Sequence, residues 1–365
     1  MPWFAPVNAD DLPSPALLLH ADRIEDNLAL MIAMAGGPDR LCPHLKTHKI
    51  PQLVRRQIEL GIRRFKCATI AEAEMAAEAG APDVLLAQQP VGPNARRFAA
   101  LITHFPATRF ATLVDHPAVL PELAPLATGR DLELLIDLDI GQHRTGIAPG
   151  PEALALARSI ASTPGLAFAG LHAYDGHLHD PDPARRQAQC EAAFAPVTQL
   201  RHDVEAAGLP VPRVVAGGSP TFPFHARRPD VECSPGTCVF WDAGYAAGLP
   251  DMDFQPAAVL LARVVSRPSP RRLCLDLGHK AVASEMPHPR VVWLNLDNAT
   301  PVAHNEEHLV LELPDATDLP PGACLYGLPW HVCPTIALHA EAWVIRDGRA
   351  TERWAIPARA RRLTL

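Results

Sequence analysis

Short apolar segments alternate with helix-forming segments along the chain up to about Asp242. The intervening segments, such as 70–82 and 151–165, contain good helix formers and end at Gly or Pro, as helices commonly do. Eight strands are predicted, beginning near Arg40, Arg63, Asp83, Arg109, Leu132, Ala167, Arg213 and Val231. This alternation predicts an α/β fold with a closed (β/α)8 TIM-type barrel, and an open doubly wound sheet is the alternative.

The pattern changes beyond Asp242, where short strand-like segments follow one another without long helices between them. A chain of 365 residues is also longer than a typical single domain. We therefore expect a barrel over residues 22–245 and a β-rich domain over 246–365. The apolar segment within residues 1–21 is expected to join the β-rich domain.

Composition excludes several classes of protein. The net charge is −7, so there is no basic surplus to bind nucleic acid. No apolar segment approaches the roughly 20 residues that a membrane span needs, and the N-terminal sequence lacks the features of a secretory signal. The eight cysteines are scattered, without a CxxC pair, which is typical of reduced thiols in a cytoplasmic protein.

Candidate functional residues lie where the predicted barrel strands end, because active sites of such barrels form at the carboxyl ends of the strands. Two small-residue turns follow the last two strands, at Gly217-Gly218-Ser219 and near Gly236-Thr237, where bare backbone amides can bind phosphate.

Lys46, one of only four lysines, follows the first strand. A lysine facing a phosphate site is what the cofactor pyridoxal 5'-phosphate (PLP) requires, although Lys46 could instead be a solvated charge. The other strand-end residues are Thr69, Gln88, Asp115, Arg144 and Tyr174.

Three segments carry a family resemblance. Residues 43–49 (PHLKTHK) closely resemble the signature of the D-threonine aldolase and D-serine dehydratase family, which comprises fold-type III PLP enzymes distantly related to alanine racemase. Residues 136–146, which contain Arg144, and residues 171–177, which contain Tyr174, resemble two further family segments. The resemblance implies an alanine racemase-like barrel in which Lys46 carries PLP and acts catalytically.

The resemblance also implies roles for the other candidate residues. Arg144 would contact the phenolic oxygen of PLP, and Tyr174 would lie beside the cofactor. The turns at Gly217, Gly218, Ser219, Gly236 and Thr237 would hold the phosphate. Without the family, Arg144 could form a salt bridge at the barrel rim, Tyr174 could be a packed barrel residue, and the glycines could serve only as turns.

A possible metal motif lies in the second domain. His331 and Cys333 are two residues apart in a predicted strand, so both side chains would face one side and could bind one ion. The pair resembles the family's metal motif and suits Zn²⁺, while relatives with Asp in place of Cys can use Mn²⁺. The histidines His172, His177 and His179 could instead indicate a metal site, but three histidines near a loop are interpreted as surface residues.

The implied function is that of a PLP- and metal-dependent lyase acting on small D-3-hydroxy amino acids such as D-serine, D-threonine or 3-hydroxyaspartate. The metal would bind the substrate's β-oxygen, and either dehydration or retro-aldol cleavage could follow. The alternatives are an amino-acid racemase and a PLP-binding homeostasis protein without lyase activity. Ser234 stands where alanine racemase has an arginine on the pyridine nitrogen, which argues against a racemase. The family is typically dimeric, so a homodimer is expected.

Overall fold

A computed structural model of the chain describes residues 2–127 and 129–365. The residues form two compact units, each assembled from several chain segments. One unit comprises the described residues up to Leu30, Thr47–Ile50 and Thr237–Arg359. The other unit comprises Met31–Lys46, Pro51–Gly236 and Ala360–Leu365, and is called the barrel unit below.

The first regular elements are strand β1 (Ala16–His20) and helix α1 (Ala21–Ala35). The helix ends at Gly36 and Gly37, both with positive φ. The Gly37 N–H donates to the Ile32 carbonyl at 3.0 Å, so glycine provides the left-handed helix stop.

Seven parallel strands form the sheet of the barrel unit, and each pairs with the next along the chain. They are β2 (Arg64–Cys67), β3 (Asp83–Leu86), β4 (Arg109–Val114), β5 (Leu132–Leu138), β6 (Leu166–Ala173), β7 (Val214–Ala216) and β8 (Glu232–Cys233). The helices of this part of the chain are α2 (Pro51–Glu59), α3 (Ile70–Glu78), α4 (Pro93–His104), α5 (Leu120–Leu123), α6 (Pro151–Ser162), α7 (Pro183–Ala206) and α8 (Phe222–His225). The predicted alternation of strands and helices is confirmed.

The predicted strand beginning near Arg40 is not a regular strand. It is reduced to two isolated parallel bridges, Leu41 with Cys233 of β8 and His44 with Lys66 of β2. Pro43 explains the interruption, because proline has no N–H to donate, and only its carbonyl is used, by the Lys66 N–H at 2.9 Å. The segment nevertheless connects the last strand to the first, so the (β/α)8 barrel is closed by seven regular strands and one irregular segment.

The other unit is built on a mixed sheet. Its remaining strands are β9 (Ala258–Ser269), β10 (Arg272–Leu275), β11 (Val291–Trp293), β12 (Thr300–His304), β13 (Leu309–Glu312), β14 (Cys324–Pro329), β15 (Glu341–Arg346) and β16 (Arg349–Ala355). Strand β1 lies in this sheet, antiparallel to β9 and parallel to β15. Two short helices, α9 (Ala243–Gly248) and α10 (Val332–Leu338), accompany it. The β-rich second region is confirmed.

No helix within residues 2–127 and 129–365 combines the length and the apolar character that crossing a membrane requires.

Candidate active site

A cavity of about 490 Å³ lies at the carboxyl ends of the barrel strands. Parallel strands bring their carboxyl ends to one edge, so residues distant in sequence converge there. All six single residues predicted at strand ends line this cavity: Lys46, Thr69, Gln88, Asp115, Arg144 and Tyr174.

The ring of Tyr174 is the point where the candidate cofactor residues meet. The Lys46 Nζ atom lies 5.6 Å from the ring centroid, and the Arg144 guanidinium carbon lies 5.2 Å from it. Lys46 sits in a single 3₁₀ turn, Leu45–Thr47. The loop before Arg144 is shaped by Asp139, whose Oδ1 accepts the backbone N–H groups of Gly141 and His143, each at 3.0 Å. Local hydrogen bonds of this kind favour a turn over a longer strand.

The two glycine turns contact each other and the Tyr174 ring. The Gly236 N–H donates to the Ser219 hydroxyl at 3.3 Å. A Cβ on Gly218 would lie 3.1 Å from a Tyr174 ring carbon, and one on Gly217 (φ +78°) would lie 2.5 Å from His225. The turn is therefore restricted to glycine by the protein's own packing, and its backbone lies against the ring that Lys46 and Arg144 approach.

Thr237, the last residue predicted to hold phosphate, belongs to the other unit. Its hydroxyl lies 3.6 Å from the Cys333 sulfur within that unit. The barrel unit thus holds every predicted PLP residue except Thr237.

These residues fit the cofactor. The Lys46 amine, the Tyr174 ring and the Arg144 guanidinium line one cavity. The Gly218 turn is not part of the cavity lining but lies against the Tyr174 ring. PLP needs these groups for its aldehyde, its ring, its phenolic oxygen and its phosphate, respectively.

Three polar residues for which no role in the cavity was predicted also line it, and two of them, Lys66 and His172, are buried. The Lys66 Nζ atom lies 3.4 Å from His172 Nε2, and His172 Nδ1 lies 2.7 Å from an Asp137 carboxylate oxygen. Burial lowers the pKa of Lys66 to about 8, and burial with the nearby Lys66 charge lowers the pKa of His172. Although burial opposes it, hydrogen bonds from His172 and Thr145 lower the pKa of Asp137. The interpretation of His172 as a surface residue is wrong, because β6 continues to Ala173 and turns this side chain into the barrel.

A second buried polar cluster lies behind the glycine turn. Among the described residues, Asp175, Cys190 and His225 form a group with the geometry to bind a metal ion. Their ligand atoms are already engaged, since Asp175 accepts from the Thr221 hydroxyl at 2.7 Å and lies 2.8 Å from His225 Nε2. Burial also raises the pKa of Cys190 to about 12, which disfavours the thiolate that binds metals. The arrangement links the segment after Tyr174 to the 217–221 turn, and no spacing motif in the sequence indicated it.

The predicted metal pair lies in the mixed-sheet unit, and its local structure differs from the prediction. Strand β14 ends at Pro329, His331 is the N-cap of α10, and Cys333 lies in the first turn of that helix. Pro334 favours this helix start, since proline is best tolerated in the first turn of a helix. The prediction that His331 and Cys333 lie in one strand, which would align their side chains, is therefore wrong.

The two side chains are nevertheless together. Although burial opposes it, hydrogen bonds with Cys333 and Glu285 raise the pKa of His331 to about 9. His331 Nδ1 lies 2.6 Å from the Glu285 carboxylate, and the Cys333 sulfur lies 3.2 Å from the Thr47 hydroxyl. A carboxylate on the second nitrogen is the usual support of a metal-binding histidine, so this nitrogen and sulfur pair fits a divalent metal such as Zn²⁺.

Known proteins share this architecture over nearly the whole chain. The family model for the alanine racemase N-terminal domain matches residues 19–243, and that for a putative serine dehydratase domain matches residues 257–345. The chain is 32% identical to a D-threonine aldolase of Arthrobacter sp, covering 95% of this chain and 92% of that protein. It is 27% identical to a 3-hydroxy-D-aspartate aldolase of Paracoccus denitrificans (strain Pd 1222), covering 99% and 96%.

Solved structures agree with the sequence matches. The crystal structure of a D-threonine aldolase from Filomicrobium marinum superimposes with a TM-score of 0.90 at 30% identity, covering 98% of each chain. The similarity spans both units, and the barrel carries an amine and an aromatic ring in one cavity, with a glycine turn against the ring. The chain belongs to the D-threonine aldolase and D-serine dehydratase family of fold-type III PLP enzymes, which are lyases with an alanine racemase-like barrel.

Proposed function

We propose that the chain is a PLP- and metal-dependent lyase that cleaves D-3-hydroxy amino acids between Cα and Cβ to give glycine and an aldehyde. The observation that carries this proposal is the cavity shared by Lys46, Arg144 and Tyr174 beside a glycine turn. The named aldolase relatives, which match over nearly their full length, support cleavage of the Cα–Cβ bond.

The barrel residues have separate tasks in this proposal. Lys46 would hold PLP and carry a proton at Nζ, and Arg144 would face the phenolic oxygen. Gly217, Gly218, Ser219, Gly236 and Thr237 would hold the phosphate. The bound cofactor supplies an electron sink at Cα. The β-hydroxyl loses its proton as the Cα–Cβ bond breaks, and Cα takes up a proton, so the reaction needs no other reactant.

His331 and Cys333 would hold the divalent metal, with Glu285 orienting the histidine. A metal held by two protein ligands keeps positions for water or a substrate oxygen and polarises that oxygen as a Lewis acid. The nitrogen and sulfur donors favour Zn²⁺ over Mn²⁺.

Dehydration is the second candidate. Cys333 is the cysteine version of the metal motif, which the resemblance associates with D-serine dehydratases, and residues 257–345 match a putative serine dehydratase domain. The substrate would then lose water from Cα and Cβ, and hydrolysis of the resulting imine would give a 2-oxo acid and ammonia. Racemisation receives no support, because the Ser234 hydroxyl donates to the Cys42 carbonyl at 2.8 Å and supplies no charge.

Product analysis distinguishes these functions. The purified enzyme is incubated with D- and L-serine, the four threonine stereoisomers and D-3-hydroxyaspartate, with and without EDTA. Glycine with an aldehyde supports the proposal, whereas a 2-oxo acid with ammonia supports dehydration. EDTA should abolish turnover but leave the absorbance of bound PLP, because the proposed cofactor residues other than Thr237 lie in the barrel unit. Comparable turnover of L-substrates, or full activity without metal, would contradict the proposal.

A further inference from the structure

Segment 360–365 belongs to the barrel unit and is held there by polar contacts. The Arg97 guanidinium on α4 donates to the Arg361 carbonyl at 3.2 Å and to the Leu365 carbonyl at 3.0 Å. The Thr364 N–H donates to the Glu74 carboxylate on α3 at 2.9 Å. The backbone from the Arg361 carbonyl to Leu365 is therefore held against the barrel.

The Arg361 side chain lines two adjoining spaces. One is the main cavity that contains Lys46, and the other is a recess of about 280 Å³. Thr69, Gln88 and Gln89 line both spaces as well. The recess is thus a side branch of the cavity, and Arg361 stands where the two spaces join.

The recess is polar and cationic. Arg97 and Arg361 line it, and none of the described residues that line it carries a carboxylate. Arg97 donates to the main-chain oxygens of Arg361 and Leu365 and to the Asn94 side chain. Within the described part of the chain, the Arg361 guanidinium has no hydrogen bond or ion pair. A guanidinium with unused donors in such a space favours a carboxylate, which it can bind through two parallel hydrogen bonds.

Among the described residues of the main cavity, neither carboxylate forms an ion pair with Arg361. The two carboxylates are Asp115 and Asp137. Asp115 accepts the Gly146 N–H at 3.0 Å, and Asp137 accepts from Thr145 at 2.9 Å while lying beside His172. Both carboxylates therefore form hydrogen bonds with neighbouring groups of the barrel.

We propose that Arg361 binds a carboxylate carried on Cβ of the substrate, so that the enzyme prefers D-3-hydroxyaspartate-type substrates to D-threonine. The inference rests on the proposed function and names its substrate class. A polar recess with two guanidinium groups offers little to a methyl or phenyl substituent, whereas a second carboxylate gains a charge-assisted contact.

Kinetics of matched variants test the preference. Arg361→Ala should lower the ratio of kcat/KM for D-3-hydroxyaspartate to kcat/KM for D-threonine by about tenfold to a hundredfold, the range expected for one hydrogen-bonded charge. Arg361→Lys should restore part of the ratio because it keeps the charge. Arg362→Ala is the control, since Arg362 is exposed like Arg361 but lines neither space, and it should leave the ratio unchanged. An unchanged ratio in Arg361→Ala would overturn the inference.

A binding measurement separates this inference from the proposed function. D-Aspartate and D-asparagine have the same shape and differ in charge, and neither has a β-hydroxyl. By calorimetry on the PLP-loaded enzyme, Arg361→Ala should weaken D-aspartate binding at least about tenfold more than D-asparagine binding. Equal effects on both would overturn the inference even if every hydroxy amino acid is cleaved. A selective effect would support it even if the wild-type enzyme cleaves none, an outcome that would contradict only the proposed function.

Discussion

Two lysine side chains lie equally far from the Tyr174 ring but differ in their exposure to solvent. The Nζ atoms of Lys46 and Lys66 both lie 5.6 Å from the ring centroid. Lys46 is half-buried at a turn, whereas Lys66 is 2% exposed in the middle of the barrel. Position therefore suits Lys46 for exchange with a cofactor that enters from the cavity, while Lys66 is enclosed beside His172.

The first prediction concerns which lysine carries PLP. Lys46→Ala should abolish covalent cofactor binding, because it removes the amine that lines the cavity beside Tyr174. Lys49→Ala is the matched control from the same signature and should keep the cofactor. Borohydride reduction followed by peptide mapping checks this, and a label on Lys49, Lys66 or Lys280 would show that the assignment is wrong.

The second prediction follows from the buried charge of Lys66. Burial lowers its pKa in the folded chain to about 8, below its ordinary value of 10.5. Between these values the unfolded chain binds more protons than the folded chain, so this lysine makes stability rise with pH across that window. Well below pH 8 the folded chain carries the full cost of the buried charge.

Lys66→Met should therefore stabilise the fold by about 2 kcal/mol at pH 7, a value reduced by the lost contact with His172. The gain should shrink towards zero as the pH rises from 8 to 10.5. Thermal unfolding of wild type and variant at pH 7 and pH 10 measures it. The same difference at both pH values would show that charge burial is not the cause.

Sequence patterns identified Lys46 but not Lys66 for a physical reason. The predicted site residues lie at strand ends, whereas Lys66 precedes the last residue of β2. The inward direction of Lys66 follows from the two-residue period of the strand and therefore depends on the exact bounds of β2. The sequence did not indicate Asp137 and His172 for a similar reason. Their contact joins two different strands, so it depends on the strand pairing and not on a local pattern.

At the scale of elements, strand β6 contains a glycine that its pairing requires. Gly170 has φ +137°, and a Cβ there would lie 2.0 Å from the Arg213 carbonyl oxygen. The pairing of β5 with β6 shifts register at this point, between Leu134 and Leu135. A glycine at a bulge lets the backbones approach, and the Leu171 N–H then donates to the same carbonyl at 3.0 Å.

The third prediction is that Gly170→Ala lowers the free energy of unfolding by about 3 kcal/mol or more, since it adds a clash to an unfavourable φ. Gly208→Ala is the matched control, because Gly208 also has positive φ (+81°) but nothing lies within 4 Å of its Cβ position. The control should cost about 1 kcal/mol. Denaturant unfolding of both variants measures these changes. Equal losses of unfolding free energy in the two variants would rule out the clash as the cause.

Elements were predictable where local chemistry and pairing agree. The seven regular barrel strands were predicted from their apolar segments, whereas the segment at residues 40–46 resembles a strand in composition but is interrupted by Pro43. Around His331 the apolar neighbours favoured a strand, but the chain begins helix α10 at Val332 instead. There, the buried Asp242 carboxylate accepts the Val332 N–H at 2.9 Å, a contact from a distant residue that no local pattern contains.

At the scale of the whole molecule, the interior of the barrel is layered. Charged residues at or beside the amino-terminal ends of the strands form a chain of ion pairs, in which Arg213 contacts Asp83 at 3.0 Å and Glu232 at 2.9 Å. Arg109 extends the chain of ion pairs to Glu133 at 2.6 Å.

An apolar layer follows these charges inside the barrel, and the cavity with Lys46 lies at the carboxyl ends of the strands. The apolar layer comprises Leu85, Ala111, Leu135, Ala169 and Val215, with neighbouring Cys42 and Leu113. Stability and chemistry are thus assigned to opposite ends of the barrel.

The last prediction tests this separation. Arg213→Met leaves Asp83 and Glu232 without their buried partner, which should cost about 3 to 5 kcal/mol and lower the Tm on the order of 10 °C. Arg109→Met is the matched control from the same chain of ion pairs. Its side chain is 50% exposed, so water replaces the lost contact and the cost should stay below about 1 kcal/mol. For both variants, kcat/KM below the melting range should remain close to that of wild type, because the apolar layer separates these charges from the cavity. Equal Tm losses in the two variants would contradict the role of burial, and a selective loss of kcat/KM in Arg213→Met would contradict the separation of the two ends.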